Sequence, residues 1–223
     1  ARAPLRRIGD PVVHPHVVHA RIWMVVLALV RRLVDVLHVD DDVLVAAGAP
    51  DGGQPLESVR LLAPVAGMAG IFCAGANFHD HNAGMQRALN IPPQPDPHTL
   101  GLKPWFFIKT QHGVVGPDAT VERPSERLDW EAEIAAVIGR PARNVSIERA
   151  LDHVAAYTIA NDLSARDRGV RPQLDHGSPF RQDWVAHKNF DGSCPIGPAL
   201  VPASAVGDPQ RLAMRLGSNE VIN

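Results

Sequence analysis

The sequence predicts an α+β fold rich in β structure, and three observations carry this. From about Leu61 onward the apolar runs are of strand length and are separated by glycine- and proline-rich turns. Helix signals there are few: Ser146 can cap a short segment reaching His153, with Glu148 well placed in its first turn. The first ~65 residues have a different pattern, which suggests a small N-terminal subdomain over 1–65 and a larger unit over 66–223.

The elements follow in order. Residues 22–30, Ile-Trp-Met-Val-Val-Leu-Ala-Leu-Val, are strongly apolar but half the length a bilayer span needs, and Arg31-Arg32 stops them. They read as a core strand or helix. Asp40-Asp41-Asp42 and a turn at residues 48–53 follow. His14, His16 and His19 lie close together among prolines and apolar neighbours, and read as loop residues rather than ligands. Residues 71–75 read as a strand running into a loop. The proline-rich residues 91–97 read as a mobile connection. Residues 105–109 read as a buried strand ending in Lys109. Residues 129–139 and 154–160 read as two more strands, and residues 171–182 as a loop rich in proline, glycine and charge.

Composition limits the function classes. The chain of 223 residues is 45% hydrophobic and 21% charged, with net charge −2, which is ordinary for a soluble globular protein. Without a basic, aromatic-interleaved stretch it is expected to bind no nucleic acid. Without a long apolar span it is expected to enter no membrane. Its two cysteines, Cys73 and Cys194, are far apart and form no Cys-x-x-Cys pattern. A disulfide framework is not expected, and a reducing cytoplasm is the expected location.

One stretch concentrates the chemistry. In Asp129-Trp130-Glu131-Ala132-Glu133-Ile134-Ala135-Ala136-Val137-Ile138-Gly139, two carboxylates lie two residues apart in an apolar run. Side chains i and i+2 of a strand share a face, so Glu131 and Glu133 project side by side. Asp162 ends the next apolar strand, with Arg166 and Asp167 just beyond. Two readings fit the pair: the solvated acidic face of an edge strand, or ligands for a hard divalent cation that relieves their repulsion. Acids gathered at the ends of buried strands favour the cation.

Four segments stand in order: Gly75-Ala76-Asn77-Phe78-His79-Asp80-His81; Trp130-Glu131-Ala132-Glu133; Asn161-Asp162-Leu163-Ser164-Ala165-Arg166-Asp167; and His187-Lys188-Asn189-Phe190-Asp191-Gly192-Ser193-Cys194-Pro195-Ile196-Gly197-Pro198. Together they resemble the fumarylacetoacetate hydrolase family, from about Leu61 to the end. The resemblance implies a mixed β-sandwich roll, a homodimer, and a 2-oxo or 2,4-dioxo acid substrate. It implies Mg²⁺, Mn²⁺ or Ca²⁺ held by Glu131, Glu133 and Asp162, with Lys188 balancing negative charge on the substrate. His81 matches a histidine that helps activate water. Arg166 matches a substrate-binding arginine, its alternative being a salt bridge to Asp167 or another acid, and Lys109 matches a substrate contact.

The implied reaction is hydrolytic carbon–carbon cleavage of an acylpyruvate- or fumarylacetoacetate-like 2,4-dioxo acid through a metal-stabilised enolate. A lyase, hydratase, isomerase or decarboxylase of the same family is the first alternative. A catalytically degenerate homologue with a structural or assembly role is the second. Three departures from the pattern bear on these. Gly84 stands where many short members carry a glutamate paired with the histidine, and Gly169 stands where a glutamine is frequent. No Gly-Thr-Pro-x-Gly turn occurs, so the chain is expected to match a short bacterial form without the C-terminal part of the catalytic domain.

Overall fold

The computed structural model describes the strand at residues 23–29 and residues 55–217. Most of the subdomain expected over 1–65, including His14, His16 and His19, lies outside the described residues. The first apolar run is a strand, β1 (Trp23–Leu29).

A six-stranded sheet organises the chain. Its order is β10 (Val201–Pro202), β7 (Val154–Asn161), β6 (Ala132–Ile138), β1, β2 (Met68–Ala74) and β3 (Phe106–Lys109). β1 and β6 are parallel, and the other neighbours are antiparallel. Two short pairs accompany it: β4 (Val114–Val115) with β9 (Cys194–Pro195), and β5 (Leu128–Asp129) with β8 (Ser164–Ala165). Strands and short helices together make the α+β architecture expected from the sequence.

The strand alternation sorts the sheet into two faces. Ile71 and Cys73 of β2, Phe107 and Lys109 of β3, Glu133, Ala135 and Val137 of β6, and Ala156, Thr158 and Ala160 of β7 are all buried. Each set repeats with period two, so one face carries them. Val65, Met68, Cys194 and Ile196 pack against its apolar members. Each fully buried Val or Ile there contributes roughly 1.5–3 kcal/mol. On the other face Phe72, Ile108 and Ile159 remain exposed. A separate apolar cavity of about 200 Å³ lies on that face, lined by Ile134, Ala136, Tyr157 and Leu212 among others. Among the described residues no helix is long and apolar enough to cross a membrane.

Several elements differ from the sequence expectation. The stretch from Asp129 to Gly139 is two strands interrupted at Trp130 and Glu131, because the Glu131 N–H donates to Asn161 Oδ1 instead of a strand carbonyl. The register nevertheless continues unchanged: Asp129 faces Ser164 and Ala132 faces Asn161. β3 buries only Phe107 and Lys109, so it is half-buried rather than buried throughout. The loop expected after the strand at residues 71–75 is short, and a helix, α1 (His79–Leu89), begins at His79. Its only buried residue is His81, so no apolar stripe announces it. Asn90, in the left-handed region at φ 52°, ends it through N–H bonds to the Arg87 and Gln86 carbonyls. The helix expected after Ser146 is a 3₁₀ helix, Ile147–His153, without a side-chain cap. A five-residue helix, α2 (Trp184–Lys188), was not foreseen; the Asp183 side chain starts it by accepting from the Ala186 N–H at 2.9 Å.

Candidate metal centre

Register assembles the acids. With Ala132 opposite Asn161, Glu131 falls opposite Asp162, and Glu133 is paired with Ala160. The Asp162 N–H donates to the Glu131 carbonyl at 2.9 Å. Side chains directly opposite on one face approach closely, and Ala160, with a single methyl group, leaves room beside Glu133. Oxygen atoms of Glu131, Glu133 and Asp162 all lie within 4.8 Å of one another, and all three residues are fully buried. β6 has neighbours on both sides, so the edge-strand reading of the acidic pair does not hold.

Three cations meet the acids. Lys109 Nζ donates to Asp162 Oδ1 at 2.5 Å and to the Leu163 carbonyl at 3.1 Å. Lys188 Nζ donates to Glu131 Oε2 at 2.9 Å and to Asp162 Oδ2 at 2.5 Å. Arg166 Nε and Nη2 reach Asp129 Oδ2 at 2.8 and 2.7 Å, and Nη2 also donates to Glu131 Oε1. Arg166 thus makes an ion pair, and its partners are Asp129 and Glu131 rather than Asp167.

Glu133 stands apart. Neither of its carboxyl oxygens has a hydrogen-bond partner among the described residues, although both are buried. Burial first, and then the Asp162 charge, raise its pKa well above the usual carboxylate range, with Lys188 and Lys109 opposing. Among the described residues three cations therefore face four carboxylates, counting Asp129, and Glu133 is the one left without a direct partner there. Such a group is costly unless a cation joins it. Three convergent carboxylates with no nitrogen or sulfur among them suit a hard divalent ion, so these residues fit the metal the sequence suggested. The two cysteines are free and buried. Burial, with smaller contributions from Glu133 and Asp162, raises the Cys73 thiol. Burial also pushes Cys194 up to about 12, so both stay protonated and unreactive.

The structure brings together Glu131, Glu133, Asp162, Lys109, Lys188 and Arg166. His81 is buried in the first turn of α1, just after β2. The last residue of β2, Ala74, is level with Met24, which is level with Ile134 beside Glu133. The chain therefore leaves β2 at the sheet end that carries the acids, and α1 follows. Gly84, one turn later, offers it no carboxylate. Sequence reasoning missed Asp129 as the partner of Arg166 and Asn161 as the acceptor that turns Glu131. Both stood in motifs already singled out, and only pairing across the sheet reveals their roles. It also missed His187 and the aromatic rings around Lys188.

A sequence model described as the fumarylacetoacetate (FAA) hydrolase C-terminal family matches residues 70–223. The Xenopus laevis mitochondrial oxaloacetate tautomerase fahd2 is 35% identical over 179 residues, covering 78% of this chain and 50% of that protein. A crystal structure named 2-hydroxyhepta-2,4-diene-1,7-dioate isomerase, from Mycobacterium marinum, is 32% identical at TM-score 0.50, covering 72% of this chain and 52% of the other. A Mycobacterium smegmatis structure provisionally named HpcE is 27% identical at TM-score 0.57, covering 81% and 59%. The chain spans about half the length of the curated relatives it matches.

Proposed function

The chain belongs to the fumarylacetoacetate hydrolase family, and on that premise we propose that it is a divalent-metal-dependent enzyme that enolises a 2-oxo acid. Glu131, Glu133 and Asp162 would hold the metal, with Mg²⁺ or Mn²⁺ preferred and Ca²⁺ compatible with the same oxygen donors. The observation that carries this reading is Glu133, a buried carboxylate with no hydrogen-bond partner among the described residues, beside two carboxylates that already share three cations.

When bound by Glu131, Glu133 and Asp162, the metal would supply Lewis-acid charge. The chain's own residues do the rest. Lys188, within 2.9 Å of Glu131 and 2.5 Å of Asp162, offers an ammonium to the keto oxygen as it gains negative charge. Lys109 orients Asp162. Arg166 orients Glu131 and, being part-exposed, is available to a substrate carboxylate. Enolisation asks for cations at the developing oxyanion, and these residues supply them. The relatives named as a tautomerase and an isomerase support this choice.

Hydrolytic carbon–carbon cleavage of a 2,4-dioxo acid is the second reading. His81, which is buried and matches the family's water-activating histidine, favours it. It also requires an activated water, and Gly84 gives His81 no carboxylate to strengthen it as a base.

Two measurements test these readings. Calorimetric titration with Mg²⁺ and Mn²⁺ is expected to show binding that Glu131→Ala with Glu133→Ala abolishes; unchanged affinity would overturn the metal assignment. Ultraviolet spectra of the metal-loaded chain are expected to show faster keto–enol exchange of oxaloacetate. Release of a carboxylic acid and pyruvate from an acylpyruvate would favour the second reading instead. No turnover of either acid by folded, metal-loaded protein would point to a homologue that keeps the fold and has lost the chemistry.

A further inference from the structure

Two segments carry the buried lysines, and they run side by side. β3 supplies Lys109 and α2 supplies Lys188. Lys109 Nζ takes one oxygen of Asp162 and Lys188 Nζ takes the other, each at 2.5 Å. The spacing of the two segments therefore sets how that buried carboxylate is held. β3 is the outermost strand of its sheet, so among the described residues no further strand fixes that spacing.

Packing supplies part of it. Trp184 stacks on Phe107 with centroids 5.7 Å apart and planes at 24°. Lys188 Nζ lies 4.8 Å from the centre of the Phe107 ring, and Trp105 meets Trp184 edge-on at 5.0 Å. A Cβ at Gly113 would lie 2.4 Å from Ser193 Oγ and 3.3 Å from the Phe190 carbonyl oxygen. The turn after β3 thus closes on the turn after α2 because no side chain stands there. A Cβ at Gly169 would lie 2.9 Å from His187 Nδ1, so glycine also makes room for the imidazole beside Lys188. Apolar contacts of this kind are non-directional, and they leave one segment free to slide along the other.

Asn189 supplies the directional contact. Its Oδ1 accepts from the Thr110 N–H at 2.7 Å, and its Nδ2 donates to the Ile108 carbonyl at 3.0 Å. These two backbone groups flank Lys109. A residue on a parallel neighbouring strand makes the same pair of bonds, one to the carbonyl before the facing residue and one to the N–H after it. The side-chain amide, with an acceptor and a donor on one planar group, thus stands in for a strand neighbour opposite Lys109. The same residue ends α2, its own N–H donating to the Val185 carbonyl at 2.8 Å. Asn189 is therefore bonded to the backbone on both sides of one buried lysine and follows the other directly in sequence.

We infer that Asn189 is a positioning residue for the metal centre: its amide clasps β3 to the end of α2 and so fixes Lys109 and Lys188 about Asp162. The consequence for metal binding rests on the reading above, whereas the clasp on the lysines does not.

The chain has three lysines, and the third, Lys103, is exposed. Acetylation with acetic anhydride, read by mass spectrometry of the peptides, therefore measures the two buried amines against an internal reference in metal-free protein. Asn189→Leu keeps the bulk and removes both bonds. Lys109 and Lys188 are expected to react faster in it relative to Lys103. Its Mg²⁺ affinity by calorimetry is expected to fall about tenfold, the low end of what losing a supporting contact behind a metal ligand costs. Asn189→Gln, which keeps the amide, is expected to recover most of both. Asn189→Ala repeats the loss should Asn189→Leu not fold, and all measurements are made well below each variant's melting temperature. A merely structural residue would lower that temperature and leave the folded protein's labelling ratio and Mg²⁺ affinity as in the wild type. That result would overturn the clasp, as would an equal loss in Asn189→Gln. Wild-type protein that bound no Mg²⁺ would overturn the metal reading, and the lysine labelling would still decide the clasp.

Discussion

Glu131 stands directly across from Asp162, and the Asp162 N–H donates to the Glu131 carbonyl at 2.9 Å. One register between β6 and β7 thereby makes a three-carboxylate cluster from residues thirty positions apart. A slip of one residue would turn Asp162 to the other face. The cluster therefore depends on whatever holds that register, and on the small residue opposite Glu133.

That residue is Ala160, 1% exposed. Ala160→Val adds two methyl groups to a closed space and is expected to cost about 1–3 kcal/mol. It is also expected to weaken Mg²⁺ binding by displacing Glu133. Urea unfolding together with calorimetric titration checks both effects, and a variant that lost stability but kept its metal affinity would show that Glu133 has more room than the register implies.

Glu133 makes metal-free stability depend on pH. Its pKa in the folded chain is raised above the ordinary 4.5. Between those two values the folded state holds a proton that the unfolded state has lost, so stability falls as pH rises through the raised value. Metal-free protein is expected to melt at progressively lower temperature as pH rises, and Glu133→Gln is expected to lose that trend. Mg²⁺ takes the ionised form, so its affinity is expected to rise over the same range with release of a proton. Melting curves at several pH values, with and without Mg²⁺, check the sign.

Lys109 and Lys188 are buried cations with buried partners. Replacing either with methionine leaves carboxylates uncompensated and is expected to cost about 3–5 kcal/mol in metal-free protein. Saturating Mg²⁺ is expected to restore part of this, since it replaces the missing positive charge. Thermal melts of Lys109→Met and Lys188→Met with and without the metal make the comparison.

His187 gives a second, opposite pH effect. Its pKa is lowered from 6.5 to about 4 in the folded chain, so the unfolded state binds the proton first as pH falls. Its contribution is present above 6.5 and is lost as pH falls through that window. His187→Asn is expected to flatten the acid limb of the melting profile, and an acid limb identical to wild type would exclude His187 as its source.

Much of the candidate site was legible from the chain, for a local reason. Side-chain direction along a strand has period two, so Glu131-x-Glu133 announces a shared face wherever the strand lies. The positions of Asp162 and Lys109 at strand ends can be read the same way, whereas Lys188 stood out only through the family resemblance. The helices α1 and α2 could not be: one buries only His81 and the other is five residues long, so neither has the apolar repeat that marks a helix.

The sequence by itself determined the β-rich class, the order of the motifs and the acids that share a face, because these depend on neighbours within a few residues. The tertiary structure alone decided the rest. It made β6 an interior strand, set Asp162 opposite Glu131, and brought Lys109 from β3 to Asp162. It gave Arg166 to Asp129 and Glu131, and seated His187 in the space at Gly169. Each is a contact between distant parts of the chain, fixed by strand register and close packing, and local propensity carries no information about either.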